Sequence, residues 1–261
     1  LELNGVAVDF NKRAFLWGRR AAHDPGAVES MAGMAETGPE KPDILDFVNR
    51  RIHDLTRYQN ATYARRYADL IDRVRAREAD RVKGKTGLGE AVARAYFKLL
   101  AYKDEYEVAR LFTDGEFINQ LSQQFGPKFK LAFHLAPPLV AARDPKTGHL
   151  KKREYGPWVM TAFRLLARLK GLRDTPFDVF GYTAERRTER SLIAEYEAVI
   201  EELLPRLTPA NHALAVEIAG LPMRIRGFGH VKERNRLAAK DCEVQLMADF
   251  RNGGIKADAA E

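Results

Sequence analysis

The chain has 261 residues, 45% of them hydrophobic, enough to bury a full core in one large or two small domains. No run approaches the roughly 18 to 20 consecutive apolar residues of a membrane-crossing helix, and the opening LELNGVAVDF has no basic segment leading into an apolar one, so a cytoplasmic protein is expected. The lone Cys242 excludes an internal disulfide and any iron–sulfur or zinc–thiolate site built from this chain alone, while a net charge of +7 admits nucleic acid, an anionic ligand or an acidic partner without choosing among them.

The first residue is Leu1, and the opening reads as the interior of a longer protein. Asn4 is a candidate cap for a helix whose apolar positions Val6, Phe10, Ala14 and Trp17 recur until Gly18, so residues 1–20 are expected to be the terminal helix of something upstream. Residues 21–42, rich in Gly, Pro, Ala and Glu, read as a linker. A mainly α domain is then expected over 43–253, followed by a frayed tail, 254–261.

Within that domain Ile44, Phe47, Val48, Ile52 and Leu55 form one helix face, and Asn60 caps a second helix carrying Tyr63, Tyr67, Leu70, Ile71 and Val74. This pair is basic from Arg50 to Lys85. A solvated face with interspersed acids competes there with a nucleic-acid surface, the latter making the chain a free-standing basic helical module. GKTG at 84–87 fails as a phosphate loop, because no glycine stands four residues before the Gly-Lys pair and no buried strand precedes it.

The next helix carries Leu88, Val92, Ala95, Tyr96, Leu99 and Leu100, and Thr113 or Asp114 caps a short one after it. KFKLAFHL, 128–135, alternates as a half-buried strand does, and DPKTG followed by HLKKREY suggests its return, giving one small antiparallel hairpin around 128–155. Pro157 opens a helix closing at Gly171. The clearest helix runs from Thr183 to about Leu204, with Glu185, Glu189, Glu195, Glu197, Glu201 and Glu202 expected outward as solvated ion-pair partners. Thr208 and Pro209 start another that ends at Gly220, and a last helix from Val231 is expected to bury Leu237, Ala238, Cys242, Leu246 and Phe250.

Residues 223–229 are thus the joint between two helices, with glycines on either side of Phe228 for a tight turn. Cations at a helix start oppose the macrodipole, so Arg224, Arg226, His230, Lys232 and Arg234 are expected to face acids or a bound anion. They are the candidate anion- or partner-binding residues. His134, at the end of the alternating strand, is a further candidate beside the simpler role of a hydrogen-bonded structural imidazole. The six histidines form no metal-ligand pair, no GxSxG elbow is present, and Cys242 suits a packed thiol. No catalytic residue and no metal site is expected within the chain.

The stretches LELNGVAVDFNKRAFLWGRR, VARLFTDGEF, FKLAFHLAPPLVAARDPKTGHLKKREYGPW, FRLLARLKGLRDTPFDVFGYTAERRTERSLIAEYEA and RIRGFGHVKERN resemble the carboxy-terminal part of the fused bacterial indolepyruvate ferredoxin oxidoreductases. The resemblance spans residues 1–20 and 108–250 and is weaker between. It implies that residues 1–20 close a gamma-type domain of a 2-oxoacid:ferredoxin oxidoreductase and that the remainder is a family-specific C-terminal domain, for which an assembly or interface role is expected. It also implies a parent enzyme, a homodimer, that oxidatively decarboxylates arylpyruvates with coenzyme A and reduces ferredoxin, using thiamine diphosphate, magnesium and iron–sulfur clusters. No family catalytic residue maps onto this chain. Arg224, Arg226, His230, Lys232 and Arg234 would then serve coenzyme A phosphates or an acidic ferredoxin, with the upstream domains of the same polypeptide as the other partner.

Overall fold

The structure, a computed structural model, describes residues 8–31, 43–126, 128–135, 153–227 and 229–253. Among them the chain forms eleven α-helices and one two-stranded sheet, a mainly α fold. It divides into two compact units, residues 1–47 and 48–261.

In the first unit α1 (Val8–His23) runs through Gly18, where its end was expected. One interior glycine costs about 1 kcal/mol, and Arg19, Arg20, Ala21 and Ala22 beyond it are good helix formers. A second helix, α2 (Pro25–Met31), occupies part of the stretch expected as linker: Pro25 takes the first helical position and Asp24 Oδ1 accepts from the Ala27 N–H at 3.0 Å. Phe10, Phe15, Leu16 and Trp17 are exposed, and α1 buries none of its residues. Asn4 and Val6 lie outside the described residues.

The second unit contains the body of α3 (Ile44–Tyr58), then α4 (Ala61–Arg81) and α5 (Leu88–Leu100). Asn60 caps α4 as expected, its Oδ1 accepting from the Tyr63 N–H at 2.9 Å. The central helix is α5, which buries Leu88, Val92, Ala93, Ala95, Tyr96, Leu99 and Leu100 under α4, α9 (Ala184–Leu203) and α10 (His212–Gly220). Its two small alanines allow close approach on more than one side. Tyr67, Tyr96 and Tyr196 stack across α4, α5 and α9 with ring centroids 5.9 Å apart at each step. Their hydroxyls are all satisfied: Tyr67 donates to Ala93 O at 3.1 Å, Tyr196 to Ala219 O at 2.9 Å, and Tyr96 to Glu197.

The GKTGLG segment shows what takes the place of a phosphate. Glu78 on α4 accepts from the Leu88 N–H at 2.8 Å and the Gly89 N–H at 3.0 Å, and lies 2.7 Å from His212 Nε2. The chain's own carboxylate therefore caps the start of α5. A Cβ at Gly89 would stand 2.8 Å from Arg75 Cγ, so the glycine lets the two helices close.

A second layer comprises α6 (Glu105–Thr113), α7 (Glu116–Phe125), β1 (Phe133–Leu135), β2 (Arg153–Tyr155) and α8 (Val159–Arg168). Ala109, Phe133, Val159, Met160 and Phe163 form its core, with Phe112 and Ile118 packed against them. The strand is shorter than the alternation at 128–135 predicts. Among the described residues it pairs only Phe133 with Tyr155, His134 with Glu154 and Leu135 with Arg153; extending that register backwards would set Leu131 against Pro157, which has no N–H to donate.

Two later boundaries also move. Thr208 and Asn211 bond each other reciprocally, Asn211 Oδ1 accepting from Thr208 N at 2.8 Å and Thr208 Oγ1 from Asn211 N at 3.4 Å, so α10 starts at His212 instead of Pro209. The last helix, α11 (Gly229–Arg251), buries Ala239, Met247 and Phe250; Leu237, expected inside, is 51% exposed, because the contact face lies further along than a scan of its apolar residues suggests.

The seam between the bundle and the second layer is tied by a buried ion pair. Asp104, the N-cap of α6, takes Arg173 Nε at 2.5 Å and Nη2 at 2.9 Å, and the side chains are 3% and 2% exposed. Replacing Arg173 with Met strands a buried carboxylate and should cost about 3–5 kcal/mol, read as a lower urea midpoint. The double change Asp104→Asn with Arg173→Met should regain much of it. A single variant as stable as the parent would show that the pair does not close the seam.

Candidate functional site

Where the two apolar layers meet they do not close completely, leaving a cavity of about 690 Å³. Leu99 from α5, Leu192 from α9, and Pro222 and Ile225 beyond α10 supply one side. Val108 from α6, Leu135 from β1, and Phe163 and Leu166 from α8 supply the other. Charged groups complete it: Lys98, Lys103, Arg186, Arg226 and Lys232, with Asp104, Glu105, Glu185 and Glu189.

The candidate cations separate. Arg226 and Lys232 line the cavity, whereas Arg224 pairs with Glu217 at 3.2 Å and meets Cys242 Sγ at 3.5 Å, and His230 and Arg234 are exposed and do not line it. Helical geometry explains the split. Once α11 begins at Gly229, positions 230 and 234 share one face and position 232 lies roughly opposite. His134 also stays outside, its side chain 66% exposed and 3.9 Å from Glu154, although its neighbour Leu135 reaches the wall. The side chain of Phe228 lies outside the described residues.

Lys98, Lys103 and Arg186 join the site without having been singled out from sequence, and Glu189 joins it against expectation. The one signal available was Lys98, a cation directly before Leu99 and Leu100 on the apolar stripe of α5. Its Nζ donates to Pro222 O at 2.7 Å and Ile225 O at 2.8 Å, holding the joint after α10 onto α5. Burial, reinforced by Arg226 and Lys232 and opposed by Glu189, lowers its pKa from 10.5 to about 8. Glu189, expected on a solvated face, is 6% exposed and is ion-paired with Lys232. Arg186 meets Glu105 at 3.5 Å, and the second Glu105 oxygen is buried without a hydrogen-bond partner among the described residues.

The basic stretch Arg50 to Lys85 is knitted into the fold. Arg66 grips Glu197 through two bonds of 2.7 Å, Arg73 meets Glu201 at 2.6 Å, Arg57 meets Asp114 at 2.9 Å, and Lys85 donates to Pro209 O at 2.7 Å. Its acids come in part from elsewhere in the fold, Asp114, Glu197 and Glu201, and in part from the stretch itself, Arg51 pairing with Asp54 and both Arg77 and Arg81 with Asp80.

Among the described residues no group of three or more His, Cys, Asp or Glu side chains is placed to hold a metal, and no helix is long and apolar enough to cross a membrane. A cluster needing several thiolates does not fit a chain whose single thiol faces Arg224.

The Lys98 shift fixes a pH dependence. Because the folded-state pKa lies below the unfolded value, the unfolded chain holds more protons between pH 8 and 10.5, and this lysine makes stability rise with pH across that window. Denaturant unfolding at about pH 7 and about pH 10 should show wild type gaining on Lys98→Met at the higher pH. Equal slopes for the two proteins would refute the shift.

No curated protein and no solved structure matches this chain. Its sequence does match a family of unknown function (DUF6537) over residues 44–243, more than half of the 261 residues. The chain belongs to that family.

Proposed function

We propose that this chain is an assembly and interface domain of an indolepyruvate-type 2-oxoacid:ferredoxin oxidoreductase, working through the cavity and its cationic rim while the redox and carbon–carbon chemistry is done elsewhere in the enzyme. One observation carries it. Four of the five stretches that bear the resemblance, 108–117, 129–158, 163–198 and 224–235, are separated along the chain, yet supply Val108, Leu135, Phe163, Phe180, Arg186, Arg226 and Lys232 to a single cavity. Shared residues that converge on one surface support a common working site more than a common packing style.

The first unit adds support. An amphipathic helix with Phe10, Phe15, Leu16 and Trp17 in the open suits the end of an upstream gamma-type domain that would cover them. On this reading thiamine diphosphate, magnesium and the iron–sulfur clusters sit in upstream parts of a cytoplasmic, homodimeric parent. Arg226 and Lys232 then face coenzyme A or an acidic ferredoxin.

The test is made in the fused polypeptide that this reading requires. Removing residues 43–261 should break assembly or weaken coenzyme A binding, measured by sizing and by steady-state turnover with an arylpyruvate. A shortened enzyme that assembles, binds coenzyme A and turns over as before defeats the proposal.

A further inference from the structure

Charge is distributed unevenly around the cavity. At one end Arg186 is answered by Glu105 at 3.5 Å and by the field of Glu185, and Asp104 is committed to Arg173. At the other end Lys98 feels the charges of Arg226 and Lys232, and the carboxylate that acts on it is Glu189, already ion-paired with Lys232. Arg226 uses its Nε on Met223 O at 3.0 Å and pairs with no carboxylate among the described residues. Lys98 has two of its three N–H donors on carbonyl oxygens, which leave its positive charge uncancelled. Lys98 and Arg226, neither ion-paired with a carboxylate among the described residues, make this end positive, beside walls of Leu99, Leu192, Ile225 and Phe163.

Going beyond the proposed function, we propose that the cavity binds a small organic anion with an apolar body, the charged group held by Arg226, Lys232 and Lys98 and the body by the apolar walls. Size fits: about 690 Å³ falls within the roughly 300–1,000 Å³ of small-molecule pockets. A bare inorganic anion would leave those walls wet, and a neutral apolar molecule would leave the cations unanswered and partly desolvated. An anion arriving between the three cations offsets the repulsion by Arg226 and Lys232 that adds to burial in lowering the Lys98 pKa.

The experiment titrates the full chain with two fluorescent probes, anilinonaphthalene sulfonate and N-phenylnaphthylamine, which share their ring systems and differ in the sulfonate. The sulfonate should saturate one site and bind about tenfold or more tightly than the neutral probe, as expected for charge-assisted hydrogen bonds. Arg226→Ala should weaken the sulfonate by about tenfold, and Arg226→Glu further, with the neutral probe unchanged. Arg226 is exposed and touches the fold through one bond to a carbonyl, so an unchanged melting temperature is expected and checks that the variants remain folded. Equal affinity of both probes for wild type, a sulfonate affinity indifferent to both changes, or parallel loss of both probes in folded variants each overturns the proposal. Because these readings are made on this chain alone, their failure leaves the assembly role standing, and failure of the deletion test leaves the anion site standing.

Discussion

The buried pair of Asp104 and Arg173 is the constraint on which the arrangement turns. Each partner does more than neutralise the other. Asp104 also caps α6, accepting from the Glu107 N–H at 2.8 Å. Arg173 donates to Tyr58 O at 2.7 Å and Gln59 Oε1 at 2.6 Å, and stacks on the Tyr58 ring 3.9 Å from its centroid. One ion pair thereby joins the end of α3, the start of α6 and the loop after α8. Burial works against the guanidinium charge, but the Asp104 hydrogen bonds and the neighbouring groups outweigh it and hold the Arg173 pKa above the ordinary arginine value. Such a pair adds little net stability over apolar packing. It does forbid sliding, because any shift leaves an unpaired charge in an apolar seam.

The loop after α8 is ordered by the same principle. Asp178, 2% exposed, accepts from Tyr106 OH at 3.2 Å, Gly181 N at 3.1 Å and Arg190 Nη2 at 2.6 Å. A Cβ at Gly181 would lie 2.1 Å from that Arg190 nitrogen, so the glycine is required by the carboxylate's shell. With both ionic nodes fixed, the two apolar layers meet at a set distance, and the residual space between them persists as the cavity. A purely apolar seam would be free to relax into such a gap, since every unfilled contact forfeits dispersion energy.

Legibility in the sequence followed the range of the interaction. The helices of the second unit could be read because a period of 3.6 and caps such as Asn60 and Thr183 are written within a few residues. The Asp24-Pro25 start of α2 was equally local, but the surrounding glycines and alanines suggested a linker. The strand came out too long because alternation describes one strand, while a ladder needs a partner, and Pro157 limits it. Side-chain partners were the least legible. Nothing near Glu189 announces Lys232, 43 residues away, and nothing near Glu78 announces the N–H groups of Leu88 and Gly89 or the imidazole of His212. The cationic motif RIRGFGHVKERN was conspicuous, yet its members part company once α11 gives each residue its own direction.

That motif raised a choice between a bent joint and an anion-gripping loop, and the geometry makes the two compatible. Gly227 turns the chain at φ +99, and a Cβ there would stand 2.8 Å from Val231 Cγ1, so the turn is tighter than an ordinary residue permits. The tightness is what brings Arg226, before the turn, and Lys232, one helical turn into α11, to the same cavity. Lys98 holds the near side of the turn through its two carbonyl bonds while contributing the third charge. A side chain that fixes the joint therefore also sets the potential at its mouth. In the proposed anion site, bending and recognition act as one device, in which the protonation of Lys98 and the position of Arg226 depend on each other.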